Sequence, residues 1–140
     1  NITALNFSTF GGNPLSAAAG LATFRQVTQN NLQENARVMG ARLKTGLQVT
    51  ADTTPWIGDL RGRGLMVALE IVGRHPESET IEPDSVKAAE FLETCKDKGL
   101  LLGKGGVFGN VIRITPMLNV TEGEVDQGVA MIIDAVKACS

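Results

Sequence analysis

Two groups of residues in this chain have types and spacings that could do chemistry. The first is Ser8-Thr9-Phe10-Gly11-Gly12-Asn13-Pro14, which joins two hydroxyls and a glycine pair to a helix-start signal. Ser8 and Thr9 can donate hydrogen bonds to an anion, and Gly11 and Gly12 let another molecule come close to the main chain. That is the chemistry of a phosphate contact, although the same residues also read as a glycine turn before a capped helix. The second is Arg113, which interrupts the apolar run Val111-Ile112-Arg113-Ile114 where an unpaired charge is costly to bury. Guanidinium presents a planar fork that matches both oxygens of a carboxylate, so Arg113 is a candidate for orienting an amino or keto acid. The other reading is a strand-edge arginine paired with Glu70 or with solvent.

The elements that must hold these residues follow from caps and periodicity. Asn13 as N-cap and Pro14 at the first helical position predict a helix. Its Ala17, Ala18, Ala19, Gly20 and Ala22 put small residues around much of the circumference, so another domain or subunit is expected to cover it. Asn31 followed by Glu34 resembles a capping box and predicts a second helix starting near Leu32, with Leu32, Ala36, Met39, Leu43 and Leu47 on its buried face. Residues 51–54 read as loop. Residues 65–72 form the strongest strand pattern, apolar on both faces apart from Glu70, and are expected to be covered on both sides. Glu70 needs a partner, which Arg61 or Arg63 can supply; a structural ion pair or a solvated strand end is preferred here to a substrate contact.

Residues 73–83 read as a surface loop. Asp84 caps a helix that faces the core with Ala88, Phe91, Leu92 and Cys95 and stops at Gly99. Residues 100–102 are expected as a strand, 103–110 as a glycine-rich turn and 111–115 as a second strand. Thr121 with Glu124 forms the capping box of a final helix, with Val120 and Val125 as its hydrophobic staple. Helices around a few strands make an α+β layer domain.

The chain has 140 residues, of which 43% are hydrophobic and 20% charged, with a net charge of -2. One globular core is expected, and no basic excess points to nucleic acid or to an anionic membrane. The apolar runs are too short to span a bilayer. Cys95 and Cys139 lie far apart on apolar helix faces and His75 stands alone in a polar stretch, so neither a disulfide scaffold nor a metal site is expected. The chain opens on Asn1 without a secretory signal, and it is expected to be a fragment of something longer.

The run Ser-Thr-Phe-Gly-Gly-Asn-Pro-Leu-Ser-Ala-Ala from Ser8 resembles the segment after the cofactor lysine in class-III aminotransferases, enzymes dependent on pyridoxal 5'-phosphate (PLP). Ile57-Gly58-Asp59-Leu60-Arg61-Gly62-Arg63-Gly64-Leu65-Met66-Val67-Ala68-Leu69-Glu70 resembles a strand region of that family's C-terminal domain. Gly99-Leu100-Leu101-Leu102-Gly103-Lys104-Gly105-Gly106 and Asn110-Val111-Ile112-Arg113-Ile114-Thr115-Pro116 resemble its last strands. The likeness is to the alanine–glyoxylate branch.

The resemblance implies the small C-terminal domain of PLP fold type I, with a short mixed or antiparallel sheet covered by helices and preceded by a long connecting helix. Residues 1–30 would end the large domain and form the connecting helix, and residues 31–140 would be the small domain. The implied reaction moves an amino group from an alanine-like donor to a 2-oxo acid such as glyoxylate or pyruvate. The resemblance also assigns roles: Thr9, with Ser8 beside it, contacts the PLP phosphate held mainly by the other subunit of a homodimer, and Arg113 binds the substrate carboxylate. The Schiff-base lysine, the acid for the pyridine nitrogen, the stacking aromatic and the glycine-rich phosphate loop belong to the larger domain. This chain alone is therefore expected to be inactive and to hold no catalytic residue. Lys104 lacks the desolvated surroundings that a nucleophilic lysine needs. The competing reading is a self-sufficient binding or regulatory module in which Arg113 and the glycine loop hold an anion without catalysis. The expected compartment is mitochondrial or cytoplasmic, with the branch suggesting mitochondria.

Overall fold

A computed structural model describes residue 9 and residues 11–74 and 80–139 of the chain. The chain divides into two compact units, Asn1–Gln33 and Glu34–Ser140. Among the described residues, no helix is long and apolar enough to cross a membrane.

In the first unit, helix α1 (Pro14–Gln29) starts as its sequence requires. Asn13 has extended backbone and its side-chain oxygen accepts the Ser16 N–H at 2.9 Å, while Pro14 occupies the first turn. No residue of α1 is buried, and Leu15 and Phe24 are exposed along with its small residues. The break after Gln29 is made by Asn31, whose φ of 51° is the left-handed conformation that asparagine tolerates. An N-cap needs extended backbone, so Asn31 does not take the expected capping role. Glu34 instead accepts two hydrogen bonds from Arg37, at 2.8 and 2.6 Å.

Helix α2 (Leu32–Thr53) leads into the second unit and runs through the stretch expected as loop. The reason is periodic: Met39, Leu43, Leu47 and Ala51 repeat every four residues and all are buried, so ending the helix earlier would expose Ala51. Strand β1 (Ile57–Arg63) and strand β2 (Met66–Arg74) form an antiparallel hairpin around Gly64, whose φ is 54°. Gly40 lets α2 touch this turn, since a Cβ at Gly40 would stand 2.0 Å from the Gly64 carbonyl oxygen.

Strand β3 (Ile81–Pro83) adds to the far end of β2, where a loop was expected; His75 lies outside the described residues. Helix α3 (Ser85–Asp97) is capped by Asp84, which accepts the Lys87 N–H at 2.8 Å, and ends before Gly99 at φ 86°. Strand β4 is Gly103–Gly105, not the preceding leucines, and strand β5 is Val111–Ile114. The turn between them uses Gly106 and Gly109, both with positive φ. Helix α4 (Glu122–Ala138) has the full capping box of Thr121 and Glu124.

The sheet runs β1-β2-β5-β4 with every pair antiparallel, and β3 joins β2 off that path. One face carries Val67, Leu69, Ile71, Ile112 and Ile114, all buried in the same core as Leu43, Phe91, Ile132 and Val136 of the helices. The other face is not sealed: Met66 is 70% exposed and Ala68 and Glu70 are half-buried. Among the described residues the expected cover on both sides is supplied on one side only, because α2, α3 and α4 contribute their apolar faces to the first face. Asn110 closes the core end by donating to the Ile71 carbonyl at 2.9 Å and accepting the Ile71 N–H on its own carbonyl at 2.8 Å. Cys95 and Cys139 are free and buried, and burial pushes the Cys95 thiol up to about 11.

Candidate functional site

Strand alternation decides where Arg113 goes. Ile112 and Ile114 are buried, so Arg113 between them must stand on the open face, where it is exposed. Register then aligns Arg61, Ala68, Arg113 and Gly103 in one row across four strands. The neighbouring row is Asp59, Glu70, Val111 and Gly105. Both rows occupy the open face, since directly opposed residues and residues two apart share a side.

Arg113 lies over the two glycines of β4. A Cβ at Gly103 would be 3.4 Å from Arg113 Nε, and one at Gly105 would be 3.5 Å from Arg113 Cδ. These side-chain-free positions form the floor on which the guanidinium rests. Gly103 and Gly105 were expected in a glycine-rich turn, yet their spacing of two on a strand places both on one face.

The expected alternative partner of Arg113 is occupied elsewhere. Arg61 Nη1 donates to Glu70 Oε2 and, at 2.8 Å, to Asp59 Oδ2. The two carboxylates, Asp59 first, hold the Arg61 guanidinium above its ordinary pKa. Glu70 therefore belongs to a structural ion pair, as expected, with Arg61 as the partner and Asp59 as a third member that sequence reading missed. Asp59 and Arg61 are two apart on one strand, a spacing that could have revealed it. Among the described residues, Arg113 has no paired carboxylate and Arg63 makes no ion pair.

Arg113 also borders a cleft of about 190 Å³ whose walls include Leu43, Leu102, Val125 and Ile132. Glu124 lines it too, but its carboxylate accepts both the N–H and the hydroxyl of Thr121, which hold its pKa below the ordinary value. Leu43, Val125 and Ile132 belong to the core side of the sheet, whereas the Arg113 guanidinium stands on the open face, and it is there that it can offer its charge to a carboxylate. Lys104 is opposite Ile112 in the register and so points to the other side of the sheet from Arg113.

Thr9 belongs to the first unit, and each unit is described on its own. Thr9 is exposed, and Ser8 lies outside the described residues. Gly12 has φ 81°, and a Cβ built there would meet nothing within 4 Å. An exposed hydroxyl, an open glycine and the start of α1 together fit a phosphate approaching from outside this segment. Among the described residues, no cluster of His, Cys, Asp or Glu could hold a metal ion.

The Aminotransferase class-III family model matches residues 4–136. The chain is similar to an Arabidopsis thaliana protein named alanine–glyoxylate aminotransferase 2 homolog 2, mitochondrial, with 42% identity over 86% of this chain and 24% of that protein. It spans about a quarter of the length of the curated relatives it matches. Among solved structures, a phospholyase from Arthrobacter in complex with phosphoethanolamine superposes with a TM-score of 0.83 at 28% identity, over 95% of this chain and 31% of that one. The ornithine aminotransferase from Toxoplasma gondii, described with partial PLP occupancy at its active site, gives 0.80 at 28% identity, over 97% of this chain and 30% of that one.

Proposed function

The chain belongs to the class-III aminotransferase family, and on that premise we propose that it is the C-terminal part of a PLP-dependent transaminase. Residues 1–30 close the large domain and supply the connecting helix, and residues 31–140 are the small domain. The reaction takes the amino group of an alanine-like amino acid, which leaves as its 2-oxo acid, and gives it to a second 2-oxo acid such as glyoxylate or pyruvate. PLP, when bound, supplies the electron sink for this exchange.

This chain's own residues bind and orient. Arg113 receives the carboxylate common to donor and acceptor, and its bed of glycines holds the guanidinium in one place between the two half-reactions. The Thr9 hydroxyl donates to the cofactor phosphate across the interface of a homodimer. The single observation that carries the substrate assignment is a guanidinium on the open sheet face with no carboxylate partner among the described residues. The names of the curated relatives favour amino-group transfer over the lyase chemistry of the Arthrobacter neighbour. Their mitochondrial labels support the same compartment here, with cytoplasm the other candidate.

Arg113→Ala in the complete protein tests this reading. It is expected to weaken carboxylate substrates by about 1.5–3 kcal/mol, the range for charge-assisted hydrogen bonds, while PLP stays bound. Unchanged substrate kinetics would refute it.

A further inference from the structure

We propose that Arg61 is a positioning residue for Arg113: by holding Glu70 on the β1 side of β2, it keeps that carboxylate away from the arginine that receives the substrate acid. This rests on the carboxylate role of Arg113 given above.

The register sets up the choice. Glu70 is directly opposite Asp59 on one flank and Val111 on the other. Arg61 and Arg113 are each two residues further along, and both are opposite Ala68. Both arginines are therefore diagonal neighbours of Glu70, at the spacing of about 7–8 Å that long side chains bridge. Strand pairing alone does not favour either. Asp59 breaks the tie, because two carboxylates directly opposed repel, and Arg61 Nη1 relieves that repulsion by bonding both. On the other flank Val111 has no charge, and Arg113 leans away over Gly103 and Gly105. Arg63 shares the face but is opposite Met66, a full step beyond the diagonal position. Without Arg61, the diagonal guanidinium left to Glu70 is Arg113, and a substrate carboxylate must then displace an internal one.

The test uses the complete protein with Arg61→Met, Glu70→Gln and the two combined. Read out are KM and kcat for the amino acid donor, the dissociation constants of propionate and of PLP, and the melting temperature. Arg61→Met is expected to raise both KM and the propionate constant about tenfold, the loss of roughly one charge-assisted contact, with kcat and PLP affinity within about twofold. Adding Glu70→Gln is expected to return KM and the propionate constant to within about twofold of the parent. A role in folding alone would shift melting and PLP affinity together without that selective rescue. Unchanged KM in Arg61→Met, or no rescue by Glu70→Gln, overturns the proposal. If Arg61→Met does not fold, Arg61→Gln, which keeps hydrogen bonding without the charge, answers the same question. Arg113→Gln is the control: if it raises KM and Arg61→Met does not, only this inference fails. If Arg113→Gln leaves KM unchanged, the carboxylate reading fails and takes this inference with it.

Discussion

Arg113 and Gly103 face each other across β5 and β4, and a Cβ at Gly103 would lie 3.4 Å from the guanidinium Nε. That separation is ordinary contact for one methyl and leaves no room for a branched side chain. Gly103→Ala is therefore expected to keep KM for carboxylate substrates within about twofold, whereas Gly103→Val pushes Arg113 off its floor and raises KM about tenfold, or ~1.4 kcal/mol. Steady-state kinetics on the pair check this, and a valine variant with parental KM would show that Arg113 does not depend on the glycine floor.

Thr9 is exposed beside a glycine turn in which a Cβ at Gly12 would meet nothing within 4 Å. Thr9→Ala in the complete protein is expected to loosen PLP by about 1 kcal/mol, the value of one neutral hydrogen bond. Cofactor titration followed by absorbance measures it. Identical affinity and spectrum would leave Thr9 as a turn residue.

Gly40 is fixed by backbone contact, because a Cβ there would stand 2.0 Å from the Gly64 oxygen and 2.7 Å from its Cα. Neither atom belongs to a flexible side chain, so α2 and the β1–β2 turn must separate to admit a methyl. Gly40→Ala is expected to destabilise the fold by about 1–3 kcal/mol, the usual cost of overpacking, despite alanine's better helix propensity. Urea unfolding gives the number, and a neutral or stabilising result would contradict the close approach.

Glu124 predicts a pH dependence whose sign is fixed. Its carboxylate accepts the Thr121 N–H and hydroxyl, each at 2.8 Å, and so titrates below its ordinary value of 4.5. A group with a lowered folded pKa stabilises the fold above its unfolded value, and that contribution is lost as pH falls through the folded value. Glu124→Gln is expected to be less stable than the parent at neutral pH, with the gap closing as the solution is taken well below 4.5. Unfolding midpoints at neutral and acid pH decide it; a gap that widens in acid would reverse the assignment.

Much of this protein was legible residue by residue. Asn13, Asp84 and Thr121 each announce a helix start through bonds that reach three residues ahead, and all three caps form. Gly99 stops α3 because the left-handed turn is a property of that one residue. Arg113 stood out because a charge amid Val111, Ile112 and Ile114 is conspicuous in a short window, and alternation put it on the open face. The family motifs, too, were visible without coordinates, and so was the presence of an α+β layer.

Only the tertiary structure decided which partners those residues have. Asn31 looked like a cap, but the turn between α1 and α2 demanded a left-handed residue there. Strand β4 was misplaced onto three leucines because apolar letters mark burial, whereas Gly103 and Gly105 pair with β5 and make room for Arg113. Glu70 could have served Arg61, Arg63 or Arg113 by chemistry alone. Its choice depends on the register that places Asp59 opposite it, and register joins positions far apart in the chain through hydrogen bonds that no local window of sequence contains.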